Sequence, residues 1–80
     1  METQDVTNDG GDVVKLTPRQ RECLYWAEQG KSSSVIGSIL GISARTVDEH
    51  IACACARLGV QTRIQAIRRA SSLGELDETP

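Results

Sequence analysis

Eighty residues make at most one small domain, and a chain this short buries too little of its surface for a generous core, so a partner subunit would help it. Tyr25 and Trp26 are its only aromatics, which leaves Leu, Ile, Val and Ala to build the interior. The net charge of −2 hides a strong asymmetry: residues 1–14 hold four acids and no base, residues 70–80 hold three acids, and residues 15–69 hold nine Lys/Arg against four Asp/Glu. A basic body between acidic ends suits a nucleic-acid partner, although acidic ends also serve solubility alone.

In chain order, METQDVTNDGGDVV is polar with little to bury and reads as a disordered acidic arm over 1–14. Order is expected to begin at LTPRQ, where Thr17 is an N-cap, Pro18 sits at the first helical position and Gln20 completes a capping box. That helix carries Gln20, Cys23, Leu24 and Ala27 along one side and stops at Gly30. A second helix, Ser33 to Leu40, starts in the SSS cluster and is expected to bury Ile36, Ile39 and Leu40, with Gly37 on that side permitting close approach of another helix. GIS (41–43) is a short turn ending in an N-cap serine. The third helix, Ala44 to about Leu58, carries Val47, Ile51, Ala54 and Leu58 at spacings of 4, 3 and 4, and Gly59 ends it. Thr62 and Gln65 form a second capping box that opens a fourth helix to about Ser72, with Ile64 and Ile67 as its apolar residues. No strand pattern appears. The expected fold is all-α, four short helices over 15–72, followed by an acidic tail over 73–80.

A short helix, a three-residue turn and a longer helix make a helix-turn-helix by spacing. On periodicity alone such a unit serves DNA binding and plain protein interaction equally well. Other functions find little support. The three cysteines, Cys23, Cys53 and Cys55, are an odd count without a CxxC pair, and the last two, two apart on a helix, point roughly 200° apart. Neither a disulfide framework nor a metal site is expected, and the cysteines read as small hydrophobes, with Cys53 outward and open to oxidation. No nucleophile–base pair, paired catalytic carboxylates or phosphate-cradling glycine loop occurs, so no enzyme activity and no cofactor are expected. No apolar run reaches 18 residues and no signal-peptide pattern is present, so a soluble, cytoplasmic protein without membrane contact is expected.

The segments LTPRQRECL, GKSSSVIGSILGISARTVDEHI and RLGVQTRIQAI resemble, in order and spacing, the LuxR-type helix-turn-helix domain, and YWAEQGKSS with ILGIS and RTV is most similar to the branch found in quorum-sensing regulators. The resemblance covers about residues 15 to 70 and includes no sensor or receiver domain, which suggests a stand-alone member. It implies a compact four-helix domain whose third helix enters the major groove of double-stranded DNA and whose fourth helix dimerises on an inverted-repeat site. Carried over by position, Asp48, Glu49, Ala52 and Cys53 would face bases. Lys31, Ser33, Ser34, Ser43, Arg45, Thr46, Arg57 and Arg63 would grip phosphates. Ile64, Gln65, Ile67, Arg68 and Ser71 would line the dimer contact.

The chain departs from the family at several of these places. Members that bind DNA tightly often carry Lys or Arg at one or more of the positions of Asp48, Ala52, Cys53 and Ala56, and here none does. Ser34 and Val35 replace a common Trp-Glu pair, and Ala54 stands where a larger aliphatic is usual. Asp48 and Glu49 can accept from a cytosine amino group, yet they also repel phosphates, or they can simply offset the helix dipole. His50, one position before Ile51, is expected to be packed or bonded to backbone. Tyr25 and Trp26 read as packing residues, and Ser32, Ser33 and Ser34 as caps before they are phosphate ligands. The leading expectation is a DNA-binding transcriptional regulator acting as a homodimer. The alternative is a protein-interaction inhibitor or modulator that pairs with a full-length LuxR-type relative or contacts RNA polymerase or a sigma factor.

Overall fold

The computed structural model describes residues 15–76, and the arm over 1–14 and residues 77–80 lie outside the described part. Four helices follow one another without a strand among the described residues: α1 (Pro18–Glu28), α2 (Ser33–Leu40), α3 (Ala44–Leu58) and α4 (Arg63–Ser72). Their starts are set by local chemistry. Thr17 accepts from the backbone N–H of Gln20 at 3.1 Å while the Gln20 side chain accepts from the Thr17 N–H at 3.0 Å, so two otherwise unpaired donors are satisfied reciprocally. Thr62 and Gln65 repeat the arrangement at α4, and Ser32 and Ser43 cap α2 and α3. The stops are equally local: Gly41 and Gly59 end α2 and α3 at φ of 75° and 71°, a left-handed conformation in which a side chain would be strained.

The core is built around α3. Val47, Ile51, Ala54 and Leu58 are all buried, as their spacing predicts, and they pack with Leu16, Cys23, Leu24, Ile36, Ala66 and Ala70. The two aromatics stay at the margin, half-buried against this core and packed edge to face with ring centroids 5.0 Å apart. Ala54 has no exposure at all, so the small residue at the centre of α3 leaves no opening to solvent; it lets the neighbouring helices close over it.

One apolar expectation needs correction. Ile36 is buried as expected, but Ile39 is 45% exposed and Leu40 only half-buried; the other inward residue of α2 is Gly37. The helix has only two turns, and its contact with the rest of the molecule is centred on Ile36 and Gly37, so Ile39 rotates off the contact line. In α4 the core residues are Ala66 and Ala70, while Ile64 is 62% exposed and Ile67 is half-buried. Ordered structure also continues past Ser72: Leu73–Leu76 turns back on the domain, the backbone N–H of Glu75 donates to the Ala70 carbonyl at 2.9 Å, and Leu76 is buried. Glu75 lies 3.8 Å from Arg21 of α1.

Gly37 fixes the angle between α2 and α3. A Cβ at this position would lie 2.5 Å from the Ile42 carbonyl oxygen and 3.2 Å from the Ser43 carbonyl carbon, both backbone atoms of the turn. The Ile42 N–H in turn donates to the Gly37 carbonyl at 2.9 Å. Gly37→Val, which adds a branched side chain at this contact, is expected to cost about 1–3 kcal/mol. The check is a lower urea midpoint with an unchanged m-value.

The cysteines occupy three environments. Cys23 is buried in α1, Cys55 is half-buried with its Sγ 3.5 Å from the Thr62 carbonyl, and Cys53 is exposed. Burial pushes the Cys23 thiol above its ordinary value, opposed by Arg19 and Arg63 and assisted by Glu22, and burial raises Cys55 as well. A raised pKa leaves less thiolate, the reactive form, at any given pH. Alkylation at pH 8 is therefore expected to label Cys53 first, Cys55 more slowly, and Cys23 only when urea opens the domain. Mass mapping of the labelled peptides reads the order; Cys23 reacting in native buffer as fast as Cys53 would contradict a closed core.

Candidate nucleic-acid interface

Because one side of α3 is wholly consumed by packing, the other is left free over most of its length. Arg45, Asp48, Glu49, Ala52, Cys53, Ala56 and Arg57 are all exposed and recur at the three- and four-residue spacing of one helix face. All four residues expected to face bases lie on this strip. Its middle, Ala52 to Ala56, carries no charge and only short side chains, so the surface there is nearly flush with the helix backbone. Its first turn is dense in polar groups. Ser43 accepts from the Thr46 N–H at 3.0 Å and its hydroxyl donates to Thr46 Oγ1 at 2.9 Å, while Arg45 and Glu49 form an open ion pair at 3.6 Å. With Arg45 90% and Glu49 64% exposed, that pair holds neither side chain firmly and leaves both free to reach a ligand.

The start of α2 lies against this same end of α3. The Ser33 hydroxyl donates to Asp48 Oδ1, and Arg63, at the start of α4, donates through Nη1 to Ser33 Oγ at 3.4 Å. Three residues expected to contact DNA separately are thus joined to one another across three helices. The second terminal nitrogen of Arg63, Nη2, is buried and has no hydrogen-bond partner. Lys31 and Ser34 are exposed beside them, at either side of the Ser32 cap. Arg57 sits at the far end of α3, where its Nε donates to the Lys15 carbonyl at 2.7 Å, so this guanidinium ties the entry of the domain to α3. His50 is half-buried at the edge of the packed stripe.

The residues expected to line a dimer contact divide into two groups. Ile64, Gln65, Arg68 and Ser71 are exposed on one face of α4, whereas Ile67 packs partly against the core. The Gln65 side chain is already engaged, accepting from the Gln61 and Thr62 backbone N–H groups at 3.0 and 3.1 Å. Leu73, 40% exposed, adds apolar surface just beyond the helix. Sequence reasoning did not single out the linkage of Ser33, Asp48 and Arg63, nor the exposed pair Val35 and Ile39 on α2. The linked residues are 15 and 30 positions apart, and no local spacing marks them.

Among the described residues there is no group of His, Cys, Asp and Glu arranged to hold a metal ion, and no helix is long and apolar enough to cross a membrane. The charge balance of residues 15–76 is basic, nine Lys/Arg against Glu22, Glu28, Asp48, Glu49 and Glu75.

Comparison with known proteins agrees with this architecture. The luxR family of bacterial regulatory proteins matches residues 14–70. The chain is 50% identical over 57 residues to the transcriptional activator protein BjaR1 of Bradyrhizobium diazoefficiens, covering 71% of this chain and 24% of that protein. It is 47% identical over 62 residues to the transcriptional activator protein LuxR of Aliivibrio fischeri, covering 78% of this chain and 25% of that one. The chain therefore spans about a quarter of the length of the curated relatives it matches. The solved structure of the transcription factor GerE superposes with a TM-score of 0.72 at 40% identity, over 75% of this chain and 90% of that one. With its four helices, its packed third helix and this match over most of its length, the chain belongs to the luxR family of bacterial regulatory proteins.

Proposed function

We propose that this domain is a DNA-binding transcriptional regulator that lays the outer face of α3 into the major groove of double-stranded DNA and pairs through α4 as a homodimer on an inverted-repeat site. The observation that carries the reading is the exposed strip of α3 from Arg45 to Ala56, opposite a wholly buried stripe and bordered by the capped starts of α2 and α3. An α-helix fits the major groove, and capped helix starts with nearby Lys and Arg suit the phosphates on either side. Glu49, Ala52 and Cys53 are then the base-facing residues, with Asp48 at the edge toward α2. Lys31, Ser34, Ser43, Arg45 and Thr46 supply the phosphate contacts, with Ser33 and Arg63 beside them. Arg57 is held by the Lys15 carbonyl and reaches DNA from the opposite end. The short uncharged middle of the strip permits close approach of the groove floor, and Glu49 can accept from a cytosine amino group. Such a function places the protein with the bacterial chromosome, in the cytoplasm.

The dimer contact proposed for α4 rests on Ile64 and Leu73, apolar residues that are 62% and 40% exposed in the single domain. Two copies related by a two-fold axis would cover both and set two α3 helices on successive half-sites. The same face supports a second reading, pairing with a longer luxR-type relative in place of a second copy, in which case the acidic first turn of α3 would blunt DNA binding by the mixed pair.

Fluorescence anisotropy with labelled duplexes at several salt concentrations tests the DNA reading. Binding is expected to weaken as salt rises, and Lys31→Ala and Arg45→Ala are each expected to weaken it on every sequence and to lower the salt slope by about 1. Absence of binding to any duplex at low salt, with α4 pairing to a relative intact, would favour the second reading. For the dimer, Ile64→Asp is expected to give a monomer by sedimentation and to lose affinity for a two-half-site duplex. Its affinity for a single half-site should stay unchanged; equal losses on both would place Ile64 outside a dimer contact.

A further inference from the structure

Asp48, Ser33 and Arg63 form a linked set whose chemistry limits what each can do alone. A serine hydroxyl has one hydrogen to donate, and that of Ser33 goes to Asp48 Oδ1. The oxygen it leaves free accepts from Arg63 Nη1 at 3.4 Å, so the negative charge of Asp48 faces the positive charge of Arg63 across one hydroxyl. Ser33 cannot donate to a phosphate while Asp48 holds its hydrogen. Arg63 Nη2 is buried without an acceptor, so this guanidinium is not fully satisfied by its bond to Ser33. Asp48 itself is exposed and belongs to no part of the core, so its carboxylate can turn away from Ser33 without opening the interior.

We propose that Asp48 is an internal competitor for the DNA backbone. In the free domain its carboxylate occupies the Ser33 hydroxyl and balances Arg63; on DNA a phosphodiester oxygen takes the Ser33 hydrogen and faces Arg63 in its place. The inference rests on the DNA-binding reading and deepens it, by giving the acidic residue of the α3 first turn a sequence-independent role in setting affinity. A carboxylate and a phosphodiester are both anionic acceptors, so the same donors serve either. Displacing the carboxylate removes part of the gain from each new phosphate contact. Asp48 thereby lowers affinity for all duplexes alike, where a base reader would alter preference at one position.

The test measures binding of the full chain to three duplexes of unrelated sequence across a salt series, for the wild type, Asp48→Ala, Asp48→Asn, Ser33→Ala and the Ser33→Ala/Asp48→Ala pair. Urea melts show that each variant is folded; Asp48→Asn keeps the size of the side chain should the alanine variant unfold. Asp48→Ala is expected to tighten binding to all three duplexes by about tenfold with little change in the salt slope, because the phosphate contact at Ser33 and Arg63 forms in both proteins and only the competing carboxylate is removed. Asp48→Asn should fall between it and the wild type. In the Ser33→Ala background most of the gain should vanish, because the hydroxyl that Asp48 releases is no longer there. An equal gain with and without Ser33 would overturn the proposal in favour of repulsion through space. Weaker binding, or a changed base preference, would overturn it in favour of base readout by Asp48. If neither the wild type nor any Asp48 variant binds DNA, the DNA-binding reading itself fails; in a failure of the competitor alone, the wild type still binds.

Discussion

The one-sided burial of α3 is the constraint from which the remainder of the molecule follows. Val47, Ile51, Ala54 and Leu58 face inward without exception, and the other helices are arranged to cover them. A stripe at spacings of 4, 3 and 4 covers less than half the circumference of a helix, so its complement must face outward. The residues of that complement are not part of the buried core, although Arg57 and Asp48 bond across to other segments. The buried core does not draw on them, so an acidic and cysteine-containing surface can stand on a scaffold similar to that of GerE.

Holding α3 in this position falls on small residues. The chain has almost no aromatics, and several of its buried positions are filled by Ala54, Ala66, Ala70, Cys23 and Gly37. Small side chains let helix axes approach closely, and Gly37 takes this to the limit by bringing the backbone of α2 onto the backbone of the turn. The outcome is a fixed angle between α2 and α3, which in turn sets the starts of both helices side by side. That placement gathers Ser33, Ser43, Arg45, Thr46 and Asp48 at one end of the exposed strip. Arg57 acts at the other end by bonding the Lys15 carbonyl, closing the start of the domain against α3.

The electrostatics of this region do not follow from a count of charges. The described residues are basic overall, yet the first turn and a half of α3 carries two carboxylates, and each is met by a partner: Glu49 by Arg45 and Asp48 by Ser33. The Arg45–Glu49 pair is open to solvent and weak, so both groups are available. The Asp48 contact joins α3 to α2 and, through Ser33, to α4. Two acids adjacent in sequence therefore meet different surroundings, because on a helix neighbouring residues project about 100° apart.

The sequence by itself determined the elements and the inward stripe of α3. Caps and stops are reciprocal contacts over three or four residues, as at Thr17–Gln20, Thr62–Gln65, Gly41 and Gly59, so they are written in local order. The family was legible for the same reason, since its motifs are largely these caps, turns and stripes. Tertiary structure alone decided how the shorter helices rotate. It left Ile39 and Ile64 at the surface and drew Ala66 and Ala70 inside, because apolar spacing marks which residues prefer burial but cannot say which neighbour will cover them. It also decided the partners of the polar residues. Asp48, Ser33 and Arg63, and likewise Arg57 and Lys15, meet over 15 to 42 positions of chain, where only the packing of whole helices brings their side chains within reach.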